Sequence, residues 1–332
     1  MIPGLVERIR ADGPIPFAAF MEAALYDPAD GFYARGARIG PGGAFTTAPV
    51  ALPLFARALA HELRLLHEAL GRPAPFTLVE VGPGNGVLAA RLREALADLE
   101  LRIVLCDRAR GMLEQAAAGV PDGQLATLDE LEPVTGAIVT NELHDACPCE
   151  LVRWPKELRV AVGPDRRLRL EEGPDAGSAV VALLAAAGVE PEAGQELAVA
   201  PAQAELHGQL ARLLERGRLF TFDYGEAGPQ RYLRPVPRLR SYLAGQPGGD
   251  PLAQPGVQDL TCDVDFGAIR AAGEAAGLRT VLDESQAAWL RHHGALAETA
   301  AAPPGSEERL WLQALAGEGS AGESFRVLVQ ER

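Results

Sequence analysis

Cysteine is scarce in this chain, which has four cysteines among 332 residues. Only Cys147 and Cys149 lie close together, and the single residue between them does not match the two-residue spacing of redox and zinc motifs. This pattern excludes a disulfide framework and predicts ordinary thiols in a reducing compartment. No set of metal ligands is apparent, because His292 and His293 are adjacent on a predicted helix and are expected to form a surface pair.

Basic residues are too few for a general nucleic-acid binder. There are 31 Lys and Arg against 45 Asp and Glu, which gives a net charge of -14. One arginine cluster is expected to be solvated, and it consists of Arg166, Arg167 and Arg169. A second either contacts an acidic partner or pairs with the chain's own acids, and it consists of Arg231, Arg234, Arg238 and Arg240.

Long apolar runs are also missing. The longest nearly unbroken one, residues 179–189, is about half of what spans a bilayer, and charges interrupt the N-terminal segment where a signal peptide would be apolar. With 48% hydrophobic residues the chain can nevertheless build a sizeable core. We therefore expect a cytoplasmic protein that inserts into no membrane and binds no nucleic acid.

Short apolar runs alternate with amphipathic segments from residue 77 onward, which predicts a mostly parallel sheet covered on both faces. Residues 150–172 alternate apolar and charged residues around a turn at Gly163, Pro164 and Asp165, which predicts an inserted hairpin. The predicted strands are 77–81, 102–106, 124–127, 136–140, 219–223, 279–282 and 325–330, and the predicted helices are 16–25, 53–70, 87–96, 109–118, 202–216 and 266–276.

The first predicted strand runs into the glycine-rich stretch "LVEVGPGNG". A dinucleotide fingerprint needs its third glycine at the position of Val87, one residue after Gly86. The pattern of Glu80 followed by Gly82, Gly84 and Gly86 is instead typical of S-adenosyl-L-methionine-dependent methyltransferases. Three interpretations remain open here, namely this cofactor, a dinucleotide, or a tight turn that binds nothing.

Acidic residues follow the next two strands. Asp107 lies 25 residues beyond Gly82, where either cofactor needs a carboxylate for its ribose hydroxyls. Leu128 and Asp129 either flank an adenine ring or, in the case of Asp129, cap a helix. Pro83 belongs to the same predicted cofactor loop.

Polar side chains arrive together at the end of the fourth predicted strand, in "NELHDACP". Ligands of doubly wound sheets bind outside the carboxyl ends of the strands, so Asn141, Glu142 and Asp145 are candidate site residues. The alternatives are a structural role for Glu142 and a helix N-cap at Asp145.

From these motifs the chain is identified as resembling the MidA-like methyltransferases, whose mitochondrial members are complex I assembly factors that methylate a protein arginine. The chain departs from the family's motifs at Ala44, Ala48, Val50, Asn85 and His144, while the glycines are unchanged. The matching stretches occur in the family's order and are "ALYDPADGFY", "FTTAP", "LVEVGPGNG", "NELHDACP", "DYG", "DPLAQPGVQDLTCDVDF", "SQAAWLRHHG" and "GESFRVL".

The resemblance implies an α/β fold with a Rossmann-like, seven-stranded class I methyltransferase sheet, a helical N-terminal segment and an inserted α+β substrate subdomain. It implies S-adenosyl-L-methionine as cofactor, with Thr46 and Thr47 of "FTTAP" in its site. The predicted parts are a segment covering the cofactor site (1–75), the methyltransferase core (76–149 and 217–332, with a loop excursion at 225–256) and the inserted subdomain (150–216).

An arginine acceptor, also implied by the resemblance, keeps its positive charge at neutral pH, so a carboxylate must hold it. Glu142 and Asp145 are the candidates, with Asn141 nearer the cofactor and with Asp223 and Asp265 as weaker candidates for the pocket wall. Two other readings stay open, which are methylation of a small molecule or another side chain, and a cofactor-binding assembly factor without catalysis. An oxidoreductase is a distant fourth.

Overall fold

The computed structural model describes residues 2, 4–37, 40, 46–233, 239–243 and 245–332. The chain forms two compact units. The insert unit comprises Met1–Ala37, His144–Leu206 and Gly225–Ala272, and the sheet unit comprises Arg38–Leu143, His207–Tyr224 and Gly273–Arg332. These bounds differ from the predicted parts, because residues 38–75 fall in the sheet unit and residues 225–272 in the insert unit. Ala44, Arg234 and Arg238 lie outside the described residues.

The α-helices of the described residues alternate with strands through much of the chain. In chain order they are α1 (Leu5–Asp12), α2 (Phe17–Tyr26), α3 (Ala48–Ala51), α4 (Pro53–Ala69), α5 (Val87–Ala95), α6 (Arg110–Gly119), α7 (Ser178–Ala186), α8 (Pro201–Leu213), α9 (Phe266–Ala275), α10 (Gln286–His292), α11 (Ala295–Ala301) and α12 (Glu307–Ala316).

The strands of the described residues belong to three sheets. In chain order they are β1 (Ile15–Pro16), β2 (Phe76–Val81), β3 (Leu101–Cys106), β4 (Gln124–Ala126), β5 (Val134–Asn141), β6 (Glu150–Arg153), β7 (Lys156–Val162), β8 (Leu168–Asp175), β9 (Glu196–Val199), β10 (Leu214–Glu226), β11 (Leu239–Leu243), β12 (Gln246–Pro247), β13 (Asp259–Cys262), β14 (Val264–Asp265), β15 (Arg279–Ser285) and β16 (Phe325–Glu331).

The sheet unit is built on strands in the order β15-β16-β10-β5-β2-β3-β4. Neighbours are parallel except for β16, which is antiparallel to both β10 and β15. The predicted seven-stranded, mostly parallel α/β sheet is confirmed, and the two-residue strand β14 pairs in parallel with the end of β10 as an additional eighth strand. Because β3 lies on one side of β2 and β5 on the other, the strand order reverses at β2, and the crevice for a ligand forms at the carboxyl ends of β2 and β5.

Aromatic packing fixes this sheet against the helices on one face. The rings of Phe55, Phe222 and Trp289 pack edge to face, with centroids 4.8 to 5.4 Å apart. Phe55 lies on α4, whose apolar stripe is buried in the same core. Each ring removes a large apolar area from water and prefers this tilted geometry. The strand ends are therefore held on a rigid support.

The insert unit contains two antiparallel sheets. One has the strand order β1-β7-β6-β9, with β8 paired to β7, and the other has the order β12-β11-β13. The predicted hairpin turn is confirmed, because the amide of Gly163 donates to the carbonyl of Arg167 over 2.8 Å. Helix α7 covers β6 and β9 by burying Val180 and Leu184. The first arginine cluster is exposed, as predicted, with side-chain exposures of 57% to 88%.

One predicted helix needed correction, and several helices were not predicted. The helix predicted over 202–216 ends at Leu213, because Leu214 pairs with Val134 in the sheet. Helices α1, α3, α7, α11 and α12 were not predicted, whereas the helix expected at His292 is α10. All four cysteines are buried free thiols. In the described part of the chain, no helix is both long and apolar enough to cross a membrane.

The prediction that His292 and His293 form a surface pair is wrong for His293. Its side chain is only 12% exposed, and its Nε2 lies 3.2 Å from the Glu62 carboxylate on α4. The hydrogen bond with Glu62 raises the pKa of His293 and lowers the pKa of Glu62. This contact therefore joins the end of α10 to α4 most strongly when the imidazole is protonated and the carboxylate is ionised.

We predict that Glu62→Gln destabilises the protein more at pH 5.5 than at pH 8.5. The raised pKa of His293 adds stability that is fully present below its ordinary value of 6.5 and is lost as pH rises through the folded-state pKa. The lowered pKa of Glu62 adds stability that is present above its ordinary value of 4.5 and is lost only as pH falls through the folded-state pKa. The free energy of unfolding, measured in urea at both pH values, checks this.

Glu68→Gln is the matched control on the same helix. Glu68 pairs with Arg72 at the surface, with side-chain exposures of 55% and 70%, and such pairs contribute little. Its effect should be small and equal at the two pH values. An equal loss of stability for Glu62→Gln at both pH values would show that His293 does not titrate against Glu62.

Candidate active site

The loop between β2 and α5 has a backbone that only glycine adopts readily. Gly82, Gly84 and Gly86 have φ angles of 71°, 56° and 75°, all in the left-handed region. The amide of Gly82 donates to the carbonyl of Cys106 over 2.8 Å, which ties the loop to the end of β3. The amide of Gly86 donates to the carbonyl of Pro83 over 2.8 Å and closes the turn.

Two of these glycines also allow close packing. A Cβ atom on Gly82 would lie 2.8 Å from Cδ1 of Leu143, and one on Gly86 would lie 2.6 Å from the carbonyl oxygen of Ala116 on α6. Gly84 remains partly exposed between them. The loop therefore packs against its neighbours at both ends and presents bare backbone at its middle, which fits the close approach of a nucleoside cofactor.

Glu80 lies beneath this loop and is only 4% exposed. Its carboxylate accepts a hydrogen bond from the amide of Ala89, and burial raises its pKa to about 8. The oxygen Oε2 has no hydrogen-bond partner among the described residues. A buried acceptor without a donor is costly, and a donor such as the ammonium group of S-adenosyl-L-methionine would satisfy it.

Asp107 follows β3 at the same edge of the sheet. Val81 and Cys106 are paired in parallel register, so Gly82 and Asp107 leave adjacent strands side by side. The carboxylate accepts from the amide of Ala109 over 2.7 Å, and burial raises its pKa to about 6. Held in this way, Asp107 fits the predicted role of accepting hydrogen bonds from ribose hydroxyls.

Leu128 and Asp129 lie in a short 3-10 helix, Leu128–Glu130. The alternative that Asp129 caps a helix is wrong, because Thr127 is the N-cap and exchanges hydrogen bonds with Glu130 in a capping box. Asp129 is exposed and Leu128 is half-buried. Both remain candidates for flanking the adenine.

Thr46 and Thr47 precede α3 in the sheet unit. Thr46 is half-buried and Thr47 is buried. The guanidinium of Arg91 on α5 donates to the carbonyl of Pro49 on α3, which ties this segment to the helix that follows the glycine loop. The predicted place of both threonines in the cofactor site stays a prediction.

Asn141 and Glu142 end the strand next to the glycine loop. Val81 pairs with Thr140, so Gly82 and Asn141 leave adjacent strands together. Glu142 has a φ of 48°, in the left-handed region that a non-glycine residue adopts at a cost of about 1 kcal/mol or more. Its amide donates to the carbonyl of Phe222 over 2.8 Å.

Asp145 belongs to the insert unit, whereas Asn141 and Glu142 belong to the sheet unit, and its predicted role stays a prediction. The alternative of a helix N-cap is wrong, because the next regular element is the strand that starts at Glu150. Asp145 is 4% exposed, and its carbonyl accepts from the amide of Cys262 over 2.8 Å.

The two weaker acidic candidates have structural partners. Asp223 is fully buried in the sheet unit and accepts from the amide of Tyr224 over 2.9 Å. Asp265, in the insert unit, accepts from the hydroxyl of Tyr232 over 2.7 Å and from the amide of Ala268 over 3.0 Å. These contacts explain why Asp265 is buried without any ligand.

The second arginine cluster binds groups of its own chain at the two described positions. Arg231 is 3% exposed and donates to the carbonyls of Ala198 and Asp263. Arg240 pairs with the carboxylate of Asp263 over 2.5 Å.

We predict that Gly84→Val abolishes binding of S-adenosyl-homocysteine in calorimetry while the protein stays folded. The valine side chain would occupy the space over the loop's bare backbone, and its left-handed φ adds a cost of about 1 to 2 kcal/mol. Gly71→Val is the matched control, because Gly71 has a φ of +86° with nothing within 4 Å of its Cβ position. Both variants should lose similar stability, and only Gly84→Val should lose the ligand. Unchanged affinity in Gly84→Val would refute the assignment.

Comparisons with known proteins agree with this geometry. Residues 58–282 match the model of a family described as "Putative S-adenosyl-L-methionine-dependent methyltransferase". A curated relative from Rattus norvegicus, the mitochondrial protein arginine methyltransferase NDUFAF7, is 25% identical over 337 residues, covering 89% of this chain and 74% of that protein. The corresponding human protein is 24% identical, with coverage of 89% and 73%.

Solved structures give a nearer match. A crystal structure of a protein from Burkholderia thailandensis bound to S-adenosyl-homocysteine superposes with a TM-score of 0.85 at 31% identity, covering 98% of this chain and 90% of that one. A second, native structure from the same organism has a TM-score of 0.84 at 30% identity, covering 98% and 89%. The dinucleotide interpretation of the glycine loop is therefore wrong, and the cofactor is S-adenosyl-L-methionine. The chain belongs to the MidA-like family of S-adenosyl-L-methionine-dependent methyltransferases.

Proposed function

We propose that this methyltransferase transfers the methyl group to an arginine side chain of a protein partner. The observation that carries the proposal is the position of Glu142, an acid at the carboxyl end of β5 on the strand next to the glycine loop. A guanidinium remains charged at neutral pH, and a carboxylate matches it with two parallel hydrogen bonds.

The bound cofactor supplies an electrophilic methyl group, and the protein's task is alignment. In the transfer, the bond from carbon to sulfur breaks as a bond from carbon to the arginine nitrogen forms, and that nitrogen gives up a proton. We assign Glu142 to hold the guanidinium and to accept or relay this proton. Asn141, one residue nearer the strand, is placed beside the cofactor loop to help orient the reacting groups.

The backbone of Glu142 supports a functional role. Non-glycine residues in the left-handed region persist where the surrounding structure fixes them, and they cluster at active sites. Here the hydrogen bond from the Glu142 amide to Phe222 on β10 provides that restraint. A residue that only ended a strand would gain nothing from this conformation.

The choice of arginine is supported by the names of the curated relatives, which are protein arginine methyltransferases at about one quarter identity. The same proposal includes three further predictions, which are a protein partner, a role in assembling complex I and a cytoplasmic location. Asp145 stays part of it as a second acidic candidate.

We predict that Glu142→Gln still binds S-adenosyl-homocysteine but transfers methyl groups at least about 100-fold more slowly, because the neutral amide neither holds the cation nor accepts its proton. Incubation with labelled S-adenosyl-L-methionine and a cell lysate, followed by amino-acid analysis of the labelled protein, checks this. Methylarginine is the expected product.

Glu62→Gln, in the same unit but on α4, is the control and should transfer at the normal rate. Label in small molecules alone would favour a small-molecule methyltransferase, and cofactor binding with no label at all would favour an assembly factor without catalysis. Normal transfer by Glu142→Gln would overturn the role given to this residue.

A further inference from the structure

Gln286 is a buried side chain of the sheet unit with an unused hydrogen-bond donor. It is 1% exposed, and its Nε2 atom has no hydrogen-bond partner in the part of the chain that the structure describes. A buried amide that donates to nothing is costly, so it indicates a missing partner. The position of Gln286 in the fold restricts what that partner is.

Gln286 lies at the same edge of the sheet as the glycine loop. It is the first residue of α10 and directly follows Ser285, the last residue of β15. Strand β16 is antiparallel to both β15 and β10, so β15 runs parallel to β10. Because β10 is parallel to β5, the start of α10 is at the carboxyl edge, where the cofactor residues also lie.

The side chain of Gln286 is on the face of α10 that packs against the sheet. Trp289 follows three residues later and therefore lies on the same face of the helix. Its ring packs against Phe222 with centroids 5.1 Å apart and against Phe55 with centroids 5.4 Å apart. One turn before Trp289, Gln286 lies beyond Phe222 in the direction of the carboxyl edge.

Glu80 and Asn141 share this face of the sheet. Leu78 and Val139 pack in the same core as α4, and side chains two residues further along each strand point the same way. Those residues are Glu80 on β2 and Asn141 on β5, which are adjacent strands about 5 Å apart. Asn141 in turn pairs with Phe222, against which α10 packs. One acid and two carboxamides therefore follow one another across this face.

The cofactor presents groups that match this order. The amino-acid part of S-adenosyl-L-methionine carries an ammonium group and a carboxylate on one carbon atom. The ammonium group fits Oε2 of Glu80, the buried acceptor that lacks a donor. The carboxylate then needs donors on the side away from Glu80, where Asn141 and Gln286 lie. An arginine side chain cannot be the partner of Nε2 of Gln286, because a guanidinium has donors only.

We propose that Asn141 and Gln286 form a subsite for the carboxylate in the methionine part of S-adenosyl-L-methionine, and we name it the carboxamide subsite. The inference extends the cofactor site and does not depend on which acceptor is methylated. Both side-chain amides donate to the anion, and hydrogen bonds to a charged acceptor are stronger than those between neutral groups.

A neutral donor suits this position better than a charged one. Glu80 on the same face is buried, and burial raises its pKa to about 8. A lysine or arginine beside it would favour the ionised carboxylate in the empty protein and would compete with the ammonium group of the cofactor. A carboxamide binds the carboxylate and leaves Glu80 to the ammonium group.

The test measures, in calorimetry, the binding of S-adenosyl-homocysteine and of its decarboxylated analogue, which differ only in the carboxylate. The wild-type chain should bind S-adenosyl-homocysteine at least about tenfold more tightly than the analogue. Gln286→Met removes the donor with little change of shape and should weaken the binding of S-adenosyl-homocysteine by about tenfold or more. The analogue should bind to this variant and to the wild type with affinities within about twofold of each other.

Gln313→Met is the matched control. Gln313 is exposed on α12 in the same unit, so this variant should bind both ligands as the wild type does. Gln286→Met should keep or raise the melting temperature of the ligand-free protein, because it replaces an unpaired buried amide by an apolar side chain of similar shape. Normal binding of the decarboxylated analogue also shows that the cofactor site of Gln286→Met is folded.

Two results would overturn the carboxamide subsite. Unchanged affinity of Gln286→Met for S-adenosyl-homocysteine would mean that a buried water satisfies the amide. An equal loss of affinity for both ligands would mean that Gln286 shapes the pocket without contacting the carboxylate. Neither result bears on the proposed arginine acceptor, because these titrations contain no acceptor and the labelling of lysate proteins tests that proposal separately.

Discussion

The left-handed backbone between β2 and α5 is the constraint on which the cofactor site depends. Glycine is required at Gly82 and Gly86 for two reasons at once, the sign of φ and the lack of room for a Cβ atom. The contacts that exclude a side chain are with Leu143, directly after Glu142, and with Ala116 on α6. The same close packing that shapes the loop therefore also sets where the segment after β5 runs.

Parallel register explains why the candidate cofactor residues that the sequence predicts lie at one edge of the sheet. Gly82, Asp107 and Asn141 each follow an apolar run that ends at the same edge of the sheet, and neighbouring parallel strands bring such ends together. Apolar runs and the polar residue that ends each one are local features, readable without any structure. The strand positions and the sheet type were confirmed for the same reason.

Features set by contacts between distant segments were not predictable. A helix-like pattern continued to residue 216, but the helix ends three residues earlier, at Leu213, because Leu214 pairs with Val134 and begins a strand. The sequence allowed Asp129 as a helix N-cap, but in the structure Thr127 is the N-cap. The hydrogen bond between Tyr33 and Asp259 joins residues 226 positions apart, and neither local motif indicates which residue the other end of the bond is. The left-handed φ of Glu142 has no local sequence signal either.

Buried acids with raised pKa values recur in both units, and together they indicate how an acidic protein handles positive ligands. Burial is the main cause for Glu80, Asp107 and Asp259, whose pKa values rise to about 8, 6 and 7. Such groups lower the stability of the ligand-free protein, because their charged forms lack full compensation. At Glu80 the ammonium group of the cofactor would supply the missing donor, so the binding free energy of the cofactor would include the relief of this cost. Burial of an acid in this way favours a positively charged ligand group at that position.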